Sequence, residues 1–181
     1  MDVRLGLQVL PEIIDRQTTR SFFRDGKMTE EHIQILLEAA CRAPSSCNAQ
    51  PWRFWYAHHS SPLWRKLFNL LVPANAAWAA DSEWLMLVGA ASQTVYKDKV
   101  VLNSMAPFDV GAACQNMALQ VHSMGFGAAV VGGFDRSAAA LLINDLEIQP
   151  LVLIVLGSVL PTISGARSLR RSVQEVATSS F

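Results

Sequence analysis

An α+β domain built around one central sheet is the fold that this sequence predicts. Three observations carry the prediction. Short apolar runs of strand length recur at residues 52–57, 84–89, 127–131 and 151–156. Between them lie stretches with helical spacing of apolar residues, such as Ile33, Leu36, Leu37 and Ala40. No internal repeat or compositional break divides the chain, so residues 1–181 read as a single domain.

Taken in order, apolar positions Leu7, Leu10, Ile13 and Ile14 share one helix face, with Pro11 in the first turn of that helix or of its restart. The next residues are Arg16, Gln17, Thr18, Thr19 and Arg20. An extended backbone puts Arg16, Thr18 and Arg20 on one side, where two guanidinium groups flank a hydroxyl. That is either an anion receptor or a solvated turn carrying surface arginines. Thr29 followed by Glu30 and Glu31 reads as an N-cap with acids in the first turn. The helix so begun must stop by Ala43, because Pro44 disfavours helix at the residue before it.

Residues 44–52, Pro-Ser-Ser-Cys-Asn-Ala-Gln-Pro-Trp, are small, polar and bracketed by prolines. By themselves they suit a connector whose Ser and Asn side chains satisfy backbone groups. Their place between two buried elements also suits a rigid binding loop. An aromatic strand follows, then a helix near 63–71 that Pro73 ends, an Ala-rich turn or short helix at 75–81 and a buried strand at 84–89. Residues 92–107 mix charges with isolated apolar side chains and suit a pocket cover. Asp109 reads as the N-cap of a long helix that Gly125 ends. This helix lacks Lys, Arg and Glu, and should lie in the core or at a subunit contact. Gly132 and Gly133 follow the strand at 127–131, marking a plain turn or a close approach of backbone to a flat ligand. A helix near 136–143 and a central strand at 151–156, preceded by Pro150 and closed by Gly157, complete the order.

Composition narrows the function. Hydrophobic residues make up 51% and charged residues 17%, so the core is large or apolar surface is buried against another subunit. Fifteen basic residues balance fifteen acidic ones, against a nucleic-acid partner. No run is long and apolar enough for a membrane span, and the first residues lack the layout of a secretion signal. Three cysteines without a metal-ligand spacing read as reduced thiols of a cytoplasmic protein; Cys47, inside the proline-bracketed loop, is either a reactive thiol or a small, half-buried side chain. His58 and His59 at a strand end should face opposite sides, and they make no metal site.

Several of these pieces together resemble the FMN-dependent nitroreductase family over nearly the whole chain. They are residues 16–22 (Arg-Gln-Thr-Thr-Arg-Ser-Phe), the proline-bracketed loop with Ala43 before it, Asn75 with Trp78-Ala79, residues 109–116, residues 130–135 and residues 170–176. The resemblance implies a mainly antiparallel sheet flanked by helices, an intertwined homodimer and two FMN sites at the subunit interface. It assigns Arg16, Gln17, Thr18 and Arg20 to the flavin from one subunit, and Pro44, Ser45, Ser46 and Asn48 from the other. Arg16 with Arg170 or Arg171 would hold the phosphate, and Arg20 would stand at the N1–C2=O edge of the ring. Asn75 would bond the pyrimidine edge, and a backbone N–H near Val131, Gly132 or Gly133 would reach N5. NADH or NADPH would be the electron donor, and a nitroaromatic, quinone or activated alkene the small-molecule acceptor, in a ping-pong cycle. No catalytic side chain is implied. Reductive dehalogenation, flavin fragmentation and non-catalytic flavin binding are the alternatives on the same fold. The chain departs from many relatives at Ser82-Glu83 and from some at Trp78, where they carry lysine.

Overall fold

The computed structural model describes residues 9–159 and 168–178. Leu7, part of the first expected helix, lies outside them, and the helix begins at Pro11 (α1, Pro11–Asp15). The chain continues through β1 (Phe22–Phe23), α2 (Glu30–Cys41), β2 (Trp52–His58), α3 (Pro62–Phe68), α4 (Pro73–Ala79) and β3 (Trp84–Ala91). Then come β4 (Gln93–Tyr96), β5 (Lys99–Leu102), α5 (Ala106–Ser123), β6 (Gly127–Val131), α6 (Arg136–Ile143), β7 (Ile148–Val159) and α7 (Val173–Val176).

β7 is the spine of a five-stranded sheet, pairing with β1, β3 and β6, while β2 pairs with β3. Every one of these pairings is antiparallel, as the α+β reading with a mainly antiparallel sheet requires. β3 explains its own uninterrupted hydrophobicity. Trp84, Met86, Val88 and Ala90 belong to one core with α2 and α5, whereas Leu85 and Leu87 belong to a second with α3 and α6. A strand covered on both faces has no polar side to show, so the usual alternation vanishes.

Several local expectations needed correction. Pro73 begins α4 as well as following α3; proline fits the first helical turn, where its missing N–H costs nothing. Asp109 is not an N-cap: α5 starts earlier, at Ala106-Pro107, and Asp109 sits inside its first turn, 3% exposed. Pro150 lies inside β7, tolerated where the register slips between Val88 and Gly89 on the partner strand. Gly157 does not close β7, which runs on to Val159 to pair with β1. A Cβ at Gly157 would stand 3.1 Å from the Glu83 backbone nitrogen, so the glycine permits close strand packing there.

Glu83 is fully buried and fully used. Its Oε1 accepts the Gly26 N–H at 2.8 Å, and its Oε2 accepts the Ser158 N–H at 3.0 Å. The Ser158 hydroxyl donates to Asp25 Oδ1 at 2.6 Å. A buried carboxylate is tolerated only with such donors, and here it ties residues 25–26 to β7. His58 and His59 do not face apart as expected. Their rings meet edge to face at 4.1 Å, with His58 Nε2 3.1 Å from His59 Nδ1. Burial pushes the His59 pKa down, and the neighbouring His58 pushes the same way.

Candidate functional site

Residues 18–20 run beside β6. Thr18 forms a parallel bridge with Ala128, and the Thr19 N–H donates to the Ala128 carbonyl at 3.0 Å. The segment lies against a glycine because nothing larger fits: a Cβ on Gly127 would stand 2.1 Å from Val159 Cγ1 and 2.9 Å from Thr19 Oγ1. The extended conformation leaves Thr18 and Arg20 exposed, while Arg16 and Gln17 are half-buried. Arg16 also closes α1, its N–H donating to the Glu12 carbonyl at 3.0 Å.

The other wall comes from α4 and the turn after β6. Asn75 Nδ2 donates to the Gly133 carbonyl at 3.0 Å, and the Val72 N–H donates to the same oxygen at 3.3 Å. A Cβ on Gly133 would sit 2.8 Å from Asn75 Nδ2, so this glycine is what lets the amide lie against the turn. At Gly132 a Cβ would meet nothing within 4 Å, which leaves that backbone open to a neighbour. Trp78 stacks on Phe22, centroids 6.2 Å apart and planes 26° apart. Thr18, Arg20, Asn75, Trp78 and the edge from Ala129 to Gly132 together line a hollow of about 120 Å³.

The loop after α2 goes elsewhere. Ser45 Oγ accepts the Gln50 N–H at 3.0 Å, and residues Ser46–Asn48 form a single tight turn. Cys47, Asn48 and Gln50 have φ of 53°, 55° and 46°, a left-handed backbone unusual for residues with a Cβ. What holds it is Asp109, whose Oδ2 accepts the Ser46 N–H at 3.0 Å. Ser46 and Cys47 then face residues 94–105, lining a second hollow of about 180 Å³. Within residues 92–107, Gln93–Leu102 form the antiparallel β4–β5 hairpin around Lys97 and Asp98, both at positive φ, and Ala106 already begins α5.

The expected cofactor residues therefore divide. The structure brings Thr18, Arg20, Asn75, Val131 and Gly132 to one hollow, with Gly133 bracing it through Asn75. Ser46 belongs to the other hollow, while Pro44, Ser45 and Asn48 shape its loop. Arg170 and Arg171 are exposed and line neither; Arg170 donates to the Ser168 and Leu169 carbonyls. Sequence reasoning missed the Ala129–Val130 edge, the clasp on Asp109 and the hairpin wall.

Cys47 is exposed rather than half-buried, as is Cys41; Cys114 is buried in the core, which pushes its thiol up to about 11. Among the described residues no group of three or more His, Cys, Asp or Glu is placed to hold a metal, and no helix is long and apolar enough to cross a membrane.

Comparison with known proteins agrees with this architecture. Protein DrgA of Synechocystis sp. strain PCC 6803 is 28% identical over 169 residues, covering 78% of this chain and 80% of its own. A crystal structure of an oxidoreductase containing FMN superposes with a TM-score of 0.79 at 31% identity, covering 86% of this chain and 79% of that one. A nitroreductase in complex with FMN from Desulfovibrio desulfuricans superposes at 0.76 with 25% identity, covering 96% and 99%. The model of the nitroreductase family matches residues 13–72 and 68–158, and the chain belongs to that family.

Proposed function

We propose that the protein is an FMN-dependent oxidoreductase that takes electrons from NADH or NADPH and passes them to a small acceptor in a ping-pong cycle. The observation that carries this reading is the first hollow. It gathers a guanidinium, a hydroxyl, a side-chain amide and an open strand end from three separated stretches of chain. Those groups suit a flavin's polar edge. Arg20 offers a permanent charge and Thr18 a hydroxyl. Asn75 commits one N–H to Gly133 and retains its carbonyl oxygen and a second proton. The unobstructed backbone at Gly132 suits a flat ring laid close to the main chain.

FMN, when bound, supplies reversible two-electron chemistry; the residues of this chain bind, orient and polarise it. Arg16, with Arg170 or Arg171, would neutralise the phosphate. Arg20 would favour a form carrying negative charge on the pyrimidine edge, which raises the potential. At about 120 Å³ the hollow is too small to enclose a cofactor of this size. That supports a homodimer in which the partner's residues 44–48 complete the site. The apolar side chains exposed on α1 and at the start of α5, Ile13 and Phe108, support the same assembly.

Stopped-flow mixing of the yellow protein with NADPH or NADH tests the reading: flavin absorbance should bleach on the turnover timescale. A protein that binds FMN but never bleaches is a carrier and not a reductase. Titration of FMN into Arg16→Ala should show binding weakened by roughly 1.5–3 kcal/mol, the value of a hydrogen bond to a charged group.

A further inference from the structure

α4 carries Asn75 and Trp78 to the first hollow but belongs to no sheet. Its start is pinned to the turn after β6, where Val72 and Asn75 both donate to the Gly133 carbonyl. Its far end is gripped by Arg24. Arg24 Nε donates to the Ser82 carbonyl at 3.2 Å, and Arg24 Nη2 donates to the Ala80 carbonyl. The same guanidinium stands over the Trp64 ring, 5.4 Å from its centroid. A helix leaves its last carbonyls without partners of its own, and arginine's planar fork can serve two at once. Spacing along the chain gives the grip its meaning. Thr18 and Arg20 line the hollow, Phe22 stacks on Trp78, and Arg24 holds the chain just past α4. Alternate residues of an extended segment share a side. One short stretch therefore forms one wall and clamps the wall opposite. That stretch hangs from β1, which pairs with β7.

We propose that Arg24 is a positioning residue of the first hollow: by gripping the Ala80 and Ser82 carbonyls it fixes how far Asn75 and Trp78 stand from Thr18 and Arg20. Arg24 does not itself line the hollow and acts through α4. The inference rests on the FMN reading only for its redox consequence. Among the described residues that line the hollow, Arg20 alone is charged. A ring held against Arg20 by the facing wall has its reduced, anionic form stabilised, and the attraction weakens with distance if that wall retreats.

Arg24→Ala and Arg24→Lys are compared with wild type by NMR, in the full-length protein as purified. Arg24 is exposed, so neither change opens a cavity in the core. In Arg24→Ala the Trp78 indole N–H and Asn75 carboxamide resonances should move while the β3 and β7 amides stay put. Arg24→Lys should recover most of any lost Tm, because a cation still faces the carbonyls. It should leave both resonances displaced, because one ammonium does not reproduce the fork. With FMN bound, reduced flavin should bind Arg24→Ala roughly fivefold more weakly relative to oxidised flavin, a midpoint potential lower by about 20 mV for a two-electron couple. A merely structural role would instead lower Tm with the Trp78 and Asn75 resonances unmoved, and that result overturns the proposal. An unchanged potential in the FMN-loaded variant overturns it equally. If the alanine variant fails to fold, the lysine variant decides by the same two resonances. Moved resonances in a protein that takes up no FMN would end the reductase reading and keep the role of Arg24; flavin bleaching by NADPH with unmoved resonances would do the reverse.

Discussion

The hollow beside Arg20 and the hollow under the β4–β5 hairpin differ in what fixes their walls. In the first, residues 18–20 lie along β6, β6 lies along β7, and β7 is buried on both faces. Position there is inherited from the sheet, and the tolerances are backbone tolerances: glycines at 127 and 133 sit where a Cβ would collide. In the second, a loop with three left-handed residues is held from outside by one carboxylate. A sheet-built wall should fail when something is added, and a clasp-built wall when something is removed.

Gly127→Ala is the severest test. The added Cβ would meet Val159 Cγ1 and Thr19 Oγ1, both on β-branched side chains with little rotamer freedom. Overpacking of this kind costs about 3 kcal/mol at the upper end of its usual range. For a chain of this length that lowers Tm by roughly 6–12 °C, and displacement of residues 18–20 should weaken FMN binding too. A melt within a degree or two of wild type would mean that the sheet does not set this wall rigidly.

Asp109→Ala comes next, at about 1.5–2 kcal/mol for a lost hydrogen bond to a charged acceptor. The damage should be local. Hydrogen exchange at the Ser46 amide should quicken while the sheet amides keep their protection. Asp109→Asn should recover most of the loss, because a carboxamide oxygen still accepts. Uniform loss of protection in Asp109→Ala would erase the contrast between the two walls.

Gly133→Ala should be milder. The collision is with the Asn75 amide, the end of a side chain that can swing away, so stability should fall by only about 1 kcal/mol with the Asn75–Gly133 bond. FMN affinity should drop by roughly fivefold, since the amide leaves the hollow. Equilibrium titration of the flavin's fluorescence measures it.

The same contrast governs what the sequence could reveal. β3, β7, α2 and α5 were legible because periodicity and length report burial directly. The short basic segment and the paired glycines were legible as residue types. Asp109 was read as a cap because an Asp before a helical pattern usually is one. Its carboxylate instead serves Ser46, 63 residues away, and no local pattern encodes that distance. The hairpin escaped for a related reason. Its turn places Lys97 and Asp98 at positive φ without a glycine, so the ordinary turn signal is missing. Asn75 and Gly133 were each noticed, but their contact across 58 residues exists only in the fold.

The smallest expected effect concerns the carboxylates that anchor the end of β7. Hydrogen bonds from Lys27 and then from Ser158 lower the Asp25 pKa from 3.8 to about 2. A carboxyl more acidic in the folded chain stabilises it fully above 3.8, and that contribution disappears as pH falls through about 2. Asp25→Asn should therefore lose a little stability near neutral pH and none below about pH 2, so its melting curve converges with wild type as acid is added. The difference should be small, because the pair with Lys27 is solvent-screened. Ser158 gives the measurement its value. Its hydroxyl serves Asp25 while its N–H serves Glu83, so a sheet that holds β7 by its pairings alone should keep FMN affinity unchanged in Asp25→Asn. If affinity falls along with acid stability, the first wall depends on a polar clasp after all, and the two hollows are more alike than their backbones suggest.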